Sequence, residues 1–162
     1  MTFQISRRAD YAVRIMLELG ALPDGQRAHA HRIAEKTGVP LAFLRKIVLD
    51  LVKAGLARTY PGPTGGLRLA RPSADINVLQ ILEAAEGPIC LNSCLLRPKE
   101  CPRDLICPAH GFWGRLQATV IRRLQSAKLD ALVAEAGELK SAQRRPDIAY
   151  VYPLKEELHV MD

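Results

Sequence analysis

The stretch that decides the fold is residues 30–70, AHRIAEKTGVPLAFLRKIVLDLVKAGLARTYPGPTGGLRLA. Its first part predicts a short helix over residues 30–37 that ends at Gly38. Pro40 suits the first turn of a second helix, over residues 41–54. The core positions of that helix form a one-sided apolar stripe: Leu44, Ile47, Val48 and Leu51. Two helices joined by a tight, glycine-containing turn are typical of a helix-turn-helix.

The second part of this stretch predicts a β-hairpin. Residues 57–60 and 67–70 show the alternation of apolar and polar side chains that is typical of strands. The segment between them, PGPTGG, is rich in proline and glycine. A hairpin that directly follows a helix-turn-helix makes a winged helix. The sequence therefore predicts a mainly α-helical fold with one small β-hairpin.

Helices are also predicted on both sides of the winged helix. Ser6 can cap a first helix, which the turn signal at Pro23 ends. After the hairpin, Ser73 or Asp75 begins another helix, which Gly87 ends. Its apolar positions are Val78, Ile81, Leu82 and Ala85.

The distal part of the chain predicts a long helix over residues 109–125 and a short final helix over residues 129–136. The long helix carries an apolar stripe that is too wide to be left in water. The stripe comprises Phe112, Trp113, Leu116, Val120, Ile121 and Leu124. The residues after Gly137 are mainly polar, and we assign residues 137–162 to a tail.

Composition limits the class of protein. Hydrophobic residues make up 48% of the 162 residues, which is enough for a packed core, and no apolar run approaches the length of a membrane span. The most apolar N-terminal segment is interrupted by Arg14 and Glu18, unlike a signal peptide. We therefore expect a cytoplasmic protein with no membrane partner.

The net charge of +6 is distributed unevenly along the chain. Residues 1–75 contain 12 Lys and Arg against 6 Asp and Glu, whereas residues 76–162 contain 11 of each. All the excess positive charge therefore lies in the predicted winged helix. A basic half joined to a neutral half indicates a polyanion partner for the first half and a different task for the second.

The winged helix and its charge together predict binding to double-stranded DNA. The outer face of helix 41–54 can enter the major groove, where Arg45 could read guanine and Lys46 could read guanine or hold a phosphate. The hairpin can approach the backbone or the minor groove. The predicted DNA contacts are Arg7, Arg8, Pro40, Ala42, Arg45, Lys46, Arg58, Thr64 and Arg68. The alternative for any single arginine or lysine is a solvated surface residue.

All four cysteines fall in one proline-broken stretch with the spacing C-x3-C-x6-C-x5-C-x2-H. They are Cys90, Cys94, Cys101 and Cys107, followed by His110. Clustered thiols in a chain without a secretory signal indicate metal binding or redox chemistry before structural disulfides. Thiolates suit an iron–sulfur centre or zinc, but structural zinc sites usually have C-x2-C knuckles, which are absent here.

The sequence resembles the winged-helix iron–sulfur regulators, the family that includes IscR, NsrR and RirA. The resemblance covers roughly residues 1–135. It is carried by RADYAVR (residues 8–14), IAE (33–35), FL (43–44), KAGL (53–56), GPTGGL (62–67) and Cys101-x5-Cys107 running into a long helix. The resemblance implies a homodimer whose long helices pack together, with a 2Fe–2S or 4Fe–4S cluster held by Cys94, Cys101 and Cys107.

The fourth ligand of such a cluster differs among members of this family. It is a histidine shortly after the last cysteine or an acidic residue from the first helix of the partner subunit. This sequence offers His110 and Asp10, and Cys90 is an additional candidate. Alternatively, His110 is a polar residue at a helix N-terminus, and Asp10 forms an ion pair with Arg14 at i+4.

This sequence also departs from the family at three positions. The gap after Cys94 is six residues, where five is frequent in the family. Pro61 stands where many relatives have an arginine before the wing glycine, so a minor-groove role would pass to Arg58. Arg45 stands where some relatives have a glutamate, so the operator sequence should differ.

Together these features predict four segments. They are a DNA-binding winged helix (1–75), a linking helix and cluster-binding loop (76–110), a dimerisation helix with a short final helix (109–136), and a tail (137–162). We expect a repressor or activator controlled by the cluster. The alternative is a cluster-free regulator whose cysteines sense redox state or bind zinc. We find no nucleotide-binding loop, catalytic triad spacing or HExxH motif, so we expect neither an enzyme nor a small-molecule substrate.

Overall fold

The computed structural model describes residues 4–97 and 100–143, which form α-helices and one two-stranded antiparallel sheet. The helices are α1 (Arg7–Gly20), α2 (Ala30–Thr37), α3 (Leu41–Lys53), α4 (Val78–Glu86), α5 (Ser93–Leu96), α6 (Pro108–Ser126) and α7 (Leu129–Ala142). The strands are β1 (Ala57–Tyr60) and β2 (Gly66–Leu69), and short 3-10 turns cover Ser73–Asp75 and Asp104–Ile106. No described helix is long and apolar enough to cross a bilayer. The predicted mainly helical fold with a hairpin is confirmed.

Local signals place the first three helices where the sequence predicts them. The Ser6 hydroxyl accepts a hydrogen bond from the amide of Ala9 at 3.1 Å, which caps α1. Gly38 ends α2 with a φ of 69°, a left-handed conformation that favours glycine. The turn between α2 and α3 is therefore fixed by residue type before any tertiary packing.

The hairpin formed by β1 and β2, here called the wing, follows α3 directly. Its register pairs Ala57 with Leu69 and Tyr60 with Gly66. Residues 61–65 connect the strands, and the Gly65 amide donates to the Gly62 carbonyl at 3.0 Å. The second strand begins one residue earlier than predicted, at Gly66, and ends at Leu69 rather than Ala70.

The start of α4 corrects the sequence prediction. Ser73 begins only a 3-10 turn, and α4 begins at Val78. Asn77 caps it: its side chain accepts from the Gln80 amide at 3.0 Å, while the Gln80 side chain accepts from the Asn77 amide at 3.1 Å. This reciprocal capping box satisfies both amides, which a serine further upstream would not do.

The hydrophobic core joins the winged helix to the distal part of the chain. Ile76, Ile81 and Leu129 are fully buried and belong to the same cluster as the core residues of α1–α3. A short bridge also holds the junction of α6 and α7 against the start of α4, because Val78 donates to Ala127 at 3.0 Å and Leu129 donates to Ile76 at 2.9 Å. The two ends of the segment 78–127 are thus fixed to one body.

Helix α7 is longer than the sequence predicts, because it ends at Ala142 rather than Ala136. Residues 137–142 of the predicted tail are therefore helical, and residues 144–162 lie outside the described residues. The helix packs on α1 where Gly20 leaves room: a Cβ there would lie 2.8 Å from Cγ2 of Val133. Lys140 also approaches Glu18 of α1 at 3.6 Å. These tertiary contacts stabilise a segment whose own amphipathic pattern is weak.

Candidate functional site

The outer face of α3 presents the predicted base-reading residues to solvent. Ala42, Arg45 and Lys46 are exposed, and Pro40 is exposed just before the helix. The opposite face is buried through Leu44, Ile47, Val48 and Leu51. The packing that anchors α3 therefore leaves its polar face available for contact, as the insertion of a recognition helix into a groove requires.

Two apolar residues on α3 were not predicted to be exposed or to contact DNA. Phe43 is 55% exposed and Leu49 is 59% exposed. Phe43 makes an edge-on ring contact with Tyr11 of α1, with ring centroids 6.5 Å apart. Both residues fall outside the apolar stripe of α3. Their position in the sequence could therefore have indicated that they are exposed. Exposed apolar side chains on this helix are chemically suited to the methyl group of thymine.

The wing carries its arginines on one face. Arg58 and Arg68 are directly opposite each other in the register of the two strands. Thr64, at the tip, is exposed. The guanidinium carbon of Arg68 lies 5.0 Å from the centroid of the Tyr60 ring, and that of Arg27 lies 3.7 Å from it. Arg27 was not predicted as a site residue, because it precedes α2 and reaches the wing only through the tertiary fold.

The two arginines at the start of α1 have different surroundings. Both side chains are on exposed residues, but Arg8 forms an ion pair with Asp50 of α3. This pair ties the first helix to the third. A phosphate contact by Arg8 would compete with Asp50, whereas Arg7 makes no ion pair within residues 4–97 and 100–143.

Three of the four cysteines line one cavity, of about 400 Å³, next to the start of α6. Cys94 lies in α5, Cys107 is the residue before α6, and His110 lies in the first turn of α6. The lining consists of Asn92, Ser93, Cys94, Arg97, Glu100, Cys101, Cys107, Ala109, His110 and Trp113. The structure therefore brings together the three thiols that the resemblance selects, and one of the fourth-ligand candidates.

The other two fourth-ligand candidates lie elsewhere in the chain. Cys90 does not line this cavity, and its thiol donates to the carbonyl of Asn92 at 2.9 Å. Asp10 forms an ion pair with Arg14 at 2.7 Å. It lines a different cavity, of about 570 Å³, beside Leu82 and Leu124. Within the chain, Asp10 therefore lies apart from the cavity that the three cysteines line.

The cavity holds the right donors but not a completed coordination sphere. No group of three or more His, Cys, Asp or Glu side chains among the described residues is arranged to hold a metal ion. No disulfide joins the four cysteines. Thiols and imidazole are the donors that iron–sulfur and zinc centres use, so the residues fit such a centre in kind. Binding it would require the thiols to move closer together.

Helix α6 has no buried residue within the described chain. Phe112 is 52% exposed and Leu116 is 39% exposed, and they belong to the predicted apolar stripe. Just before the helix, Leu105 is 97% exposed and Ile106 is 77% exposed. An exposed apolar surface therefore extends from the cysteine segment onto α6, and only its part on α6 was predicted from the sequence.

Comparison with known proteins gives a consistent picture. The sequence pattern of a family described as Rrf2, iron-dependent transcriptional regulator, matches residues 5–135. The HTH-type transcriptional regulator NsrR of Geobacillus kaustophilus is 28% identical over 139 residues, which are 85% of this chain and 95% of that protein.

Two solved structures have the same fold. The global cysteine regulator CymR of B. subtilis superposes with a TM-score of 0.67 at 26% identity, over 83% of this chain and 98% of that one. IscR of T. potens superposes with a TM-score of 0.70 at 24% identity, over 91% of this chain and 96% of that one. The predicted winged-helix architecture is confirmed by these likenesses.

Proposed function

Because the chain belongs to the Rrf2 family of transcriptional regulators, we propose that it is a homodimer whose operator binding is controlled by an iron–sulfur cluster. The observation that supports this most is the single cavity shared by Cys94, Cys101, Cys107 and His110. The bound cluster would supply sensitivity to iron supply, nitric oxide or redox state.

The position of the cavity suggests how the chain couples it to DNA. The cysteine segment leaves α4 at Gly87 and re-enters the fold at Cys107, the residue before α6. Drawing the three thiols together would change the arrangement of this segment and fix the start of α6. If α6 packs on its partner's α6, that arrangement determines the spacing of the two copies of α3 on a palindromic site.

The dimer is inferred from the apolar surface of α6. Phe112 and Leu116 remain exposed in the single chain although they belong to one stripe. A second copy of α6 would bury both, and apolar burial is the main favourable contribution to such association. The dimer would also place α1 of the partner subunit near the cavity. The two candidates for the fourth ligand are then Asp10 of the partner subunit and His110 of the same chain.

A second function has its own support. The described donors do not form a ready-made metal group, and one structural relative is named a global cysteine regulator. A cluster-free regulator in which one low-pKa thiol reacts first, or in which the thiols bind zinc, uses the same cavity. The two functions differ in the composition of the purified protein, which would contain iron and sulfide in the first case and zinc or no metal in the second.

Anaerobic purification, followed by visible absorption spectroscopy and iron and sulfide analysis, tests the cluster. We expect a coloured protein with iron and sulfide in matched amounts. A colourless protein with stoichiometric zinc would exclude the cluster. Single replacements then discriminate further: Cys94→Ser, Cys101→Ser and Cys107→Ser should each remove the chromophore, whereas Cys90→Ser is the matched control and should retain it. A dominant effect of one thiol on DNA binding, with no chromophore, would favour thiol sensing.

A further inference from the structure

We propose that Arg27, Tyr60 and Arg68, here called the arginine–tyrosine stack, form a binding site for a phosphate of the DNA backbone beside the wing. The proposal rests on the DNA-binding function above and extends the interface to Arg27, which lies outside both the recognition helix and the hairpin. It assigns the stack to sequence-independent positioning rather than to base reading.

The stack is a compact arrangement around one aromatic ring. The guanidinium carbon of Arg27 is 3.7 Å from the centroid of the Tyr60 ring, and that of Arg68 is 5.0 Å from it. A guanidinium that lies on an aromatic face uses its flat side for the contact and keeps its N–H edges for hydrogen bonds. Those edges match the oxygens of a phosphate in a bidentate manner.

The fold holds Arg27 in this position through the backbone. The neighbouring residue, Ala28, forms an isolated bridge with Leu67 of β2, in which Ala28 donates at 3.0 Å and accepts at 2.8 Å. Gly66 makes the close approach possible: a Cβ there would lie 2.9 Å from the Ala28 carbonyl oxygen and 3.3 Å from Cβ of Arg27. The backbone hydrogen bonds of Ala28 therefore hold the segment before α2, with Arg27, against the wing.

The charges of the stack are unneutralised by the protein. Arg58, which is not part of the stack, is directly opposite Arg68 in the hairpin register, and like charges directly opposite each other are destabilising. Within residues 4–97 and 100–143, none of Arg27, Arg58 and Arg68 forms an ion pair. In contrast, Arg8 and Arg14 are paired with carboxylates. An external anion would relieve the repulsion at the wing.

The alternative is that the stack only stabilises the hairpin. Cation–π contacts would hold Arg27 against Tyr60 whether or not DNA binds. This alternative does not account for the absence of an ion pair to Arg27 or Arg68 among the described residues. It also makes a different prediction, because a structural contact affects unfolding but does not change the number of ions released when DNA binds.

The test measures the affinity of the full-length protein for two duplexes of equal length between roughly 50 and 200 mM KCl. One duplex is selected by the wild-type protein from a random library, and the other has a scrambled sequence. Arg27→Ala should lower the slope of log affinity against log salt by about 0.9 on both duplexes alike. The loss of affinity across this salt range should thus become about threefold smaller than for the wild type.

Several variants separate charge from ring stacking. Arg27→Lys keeps the charge and should retain the slope. Tyr60→Leu removes the ring face but no charge, and should weaken binding to both duplexes, whereas Tyr60→Phe keeps the ring and should behave as wild type. Arg123→Ala, an exposed arginine of α6 outside the wing, is the matched charge control and should leave the slope unchanged.

Three outcomes would overturn the proposal. The first is an unchanged slope for Arg27→Ala together with a lowered unfolding midpoint, which would make the stack structural. The second comes from NMR titration: the side-chain N–H signals of Arg27 would shift with inorganic phosphate but not with duplex. The stack would then be a site for free anions and not for DNA. In both cases Arg45→Ala would still reduce discrimination between duplexes, so the proposed function would survive. If the selection enriched no duplex and the wild-type protein bound no DNA, both this proposal and the proposed function would fail.

Discussion

The replacement Gly65→Ala tests what makes glycine necessary in the wing. The requirement can come from the lack of space for a side chain or from the backbone dihedral angle. Gly65 is buried, and a Cβ there would lie 2.1 Å from the Tyr60 carbonyl oxygen and 2.7 Å from that of Pro61. A Cβ essentially never comes within 3.0 Å of another heavy atom. The tip must therefore open by roughly 1 Å, which would strain or break the 3.0 Å hydrogen bond from Gly65 to Gly62.

The expected cost follows from these two effects. Overpacking of this kind costs about 1–3 kcal/mol, and a lost backbone hydrogen bond costs about 0.5–1.5 kcal/mol. Because the tip can rearrange locally, we expect a total of about 2–3 kcal/mol in the free energy of unfolding. Gly62→Ala is the informative control: Gly62 has a φ of 90° but nothing within 4 Å of its missing Cβ. Its expected cost is only about 1–2 kcal/mol.

Urea unfolding followed by circular dichroism measures both variants against wild type, and duplex affinity measures the wing. Gly65→Ala should be the more destabilised and should bind the selected duplex more weakly. Gly25→Ala, with a φ of 76° outside the wing, should leave affinity unchanged. If Gly62→Ala proved as costly as Gly65→Ala, or if Gly65→Ala left affinity intact, the steric reasoning would be refuted.

Three further predictions concern the core, the dimer and base recognition. Leu129→Ala removes a fully buried side chain and should lower the free energy of unfolding by about 2–5 kcal/mol; a loss below about 1 kcal/mol in urea would show that Leu129 is not part of the core. Leu116→Glu should shift sedimentation towards the monomer, whereas Arg122→Glu, also exposed on α6, serves as its control; a dimer unaffected by Leu116→Glu would contradict the proposed interface. Arg45→Ala should cost about 1–3 kcal/mol on the selected duplex and little on a scrambled one, and equal losses on both would assign Arg45 to the backbone.

The sequence predicts the winged helix well because its signals are local. The apolar stripe of α3 and the glycine after α2 each specify structure within a few residues, and both are confirmed. The predicted start of α4 was wrong for a local reason as well, because it did not take into account the capping box that Asn77 and Gln80 form. The predicted end of α7 was wrong because contacts with α1, including Gly20 against Val133, stabilise a longer helix than the amphipathic pattern of this segment indicates.

The site was predictable in its residue types but not in its geometry. The spacing of the cysteines indicates a shared function, but only the fold shows that Cys90 lies outside the cavity that the other three line. Arg27 was not predictable at all, because its contact with Tyr60 depends on a bridge between segments about 40 residues apart in the chain. Non-local pairing of this kind leaves no periodic signal in the sequence.

The bridge between the start of α4 and the junction of α6 and α7 has a consequence for how the chain tolerates change. The segment 78–127 leaves one closed body and returns to it, because Ile76 and Leu129 lie in a common core at its two ends. The cysteine segment lies inside this closed stretch, so its length can vary at little cost to the fold, because lengthening a surface loop adds only a small entropic penalty. A spacing of six rather than five residues after Cys94 is a variation that this architecture accommodates. A change in the cysteine segment should therefore leave the packing of α1–α3 and of the wing unaltered.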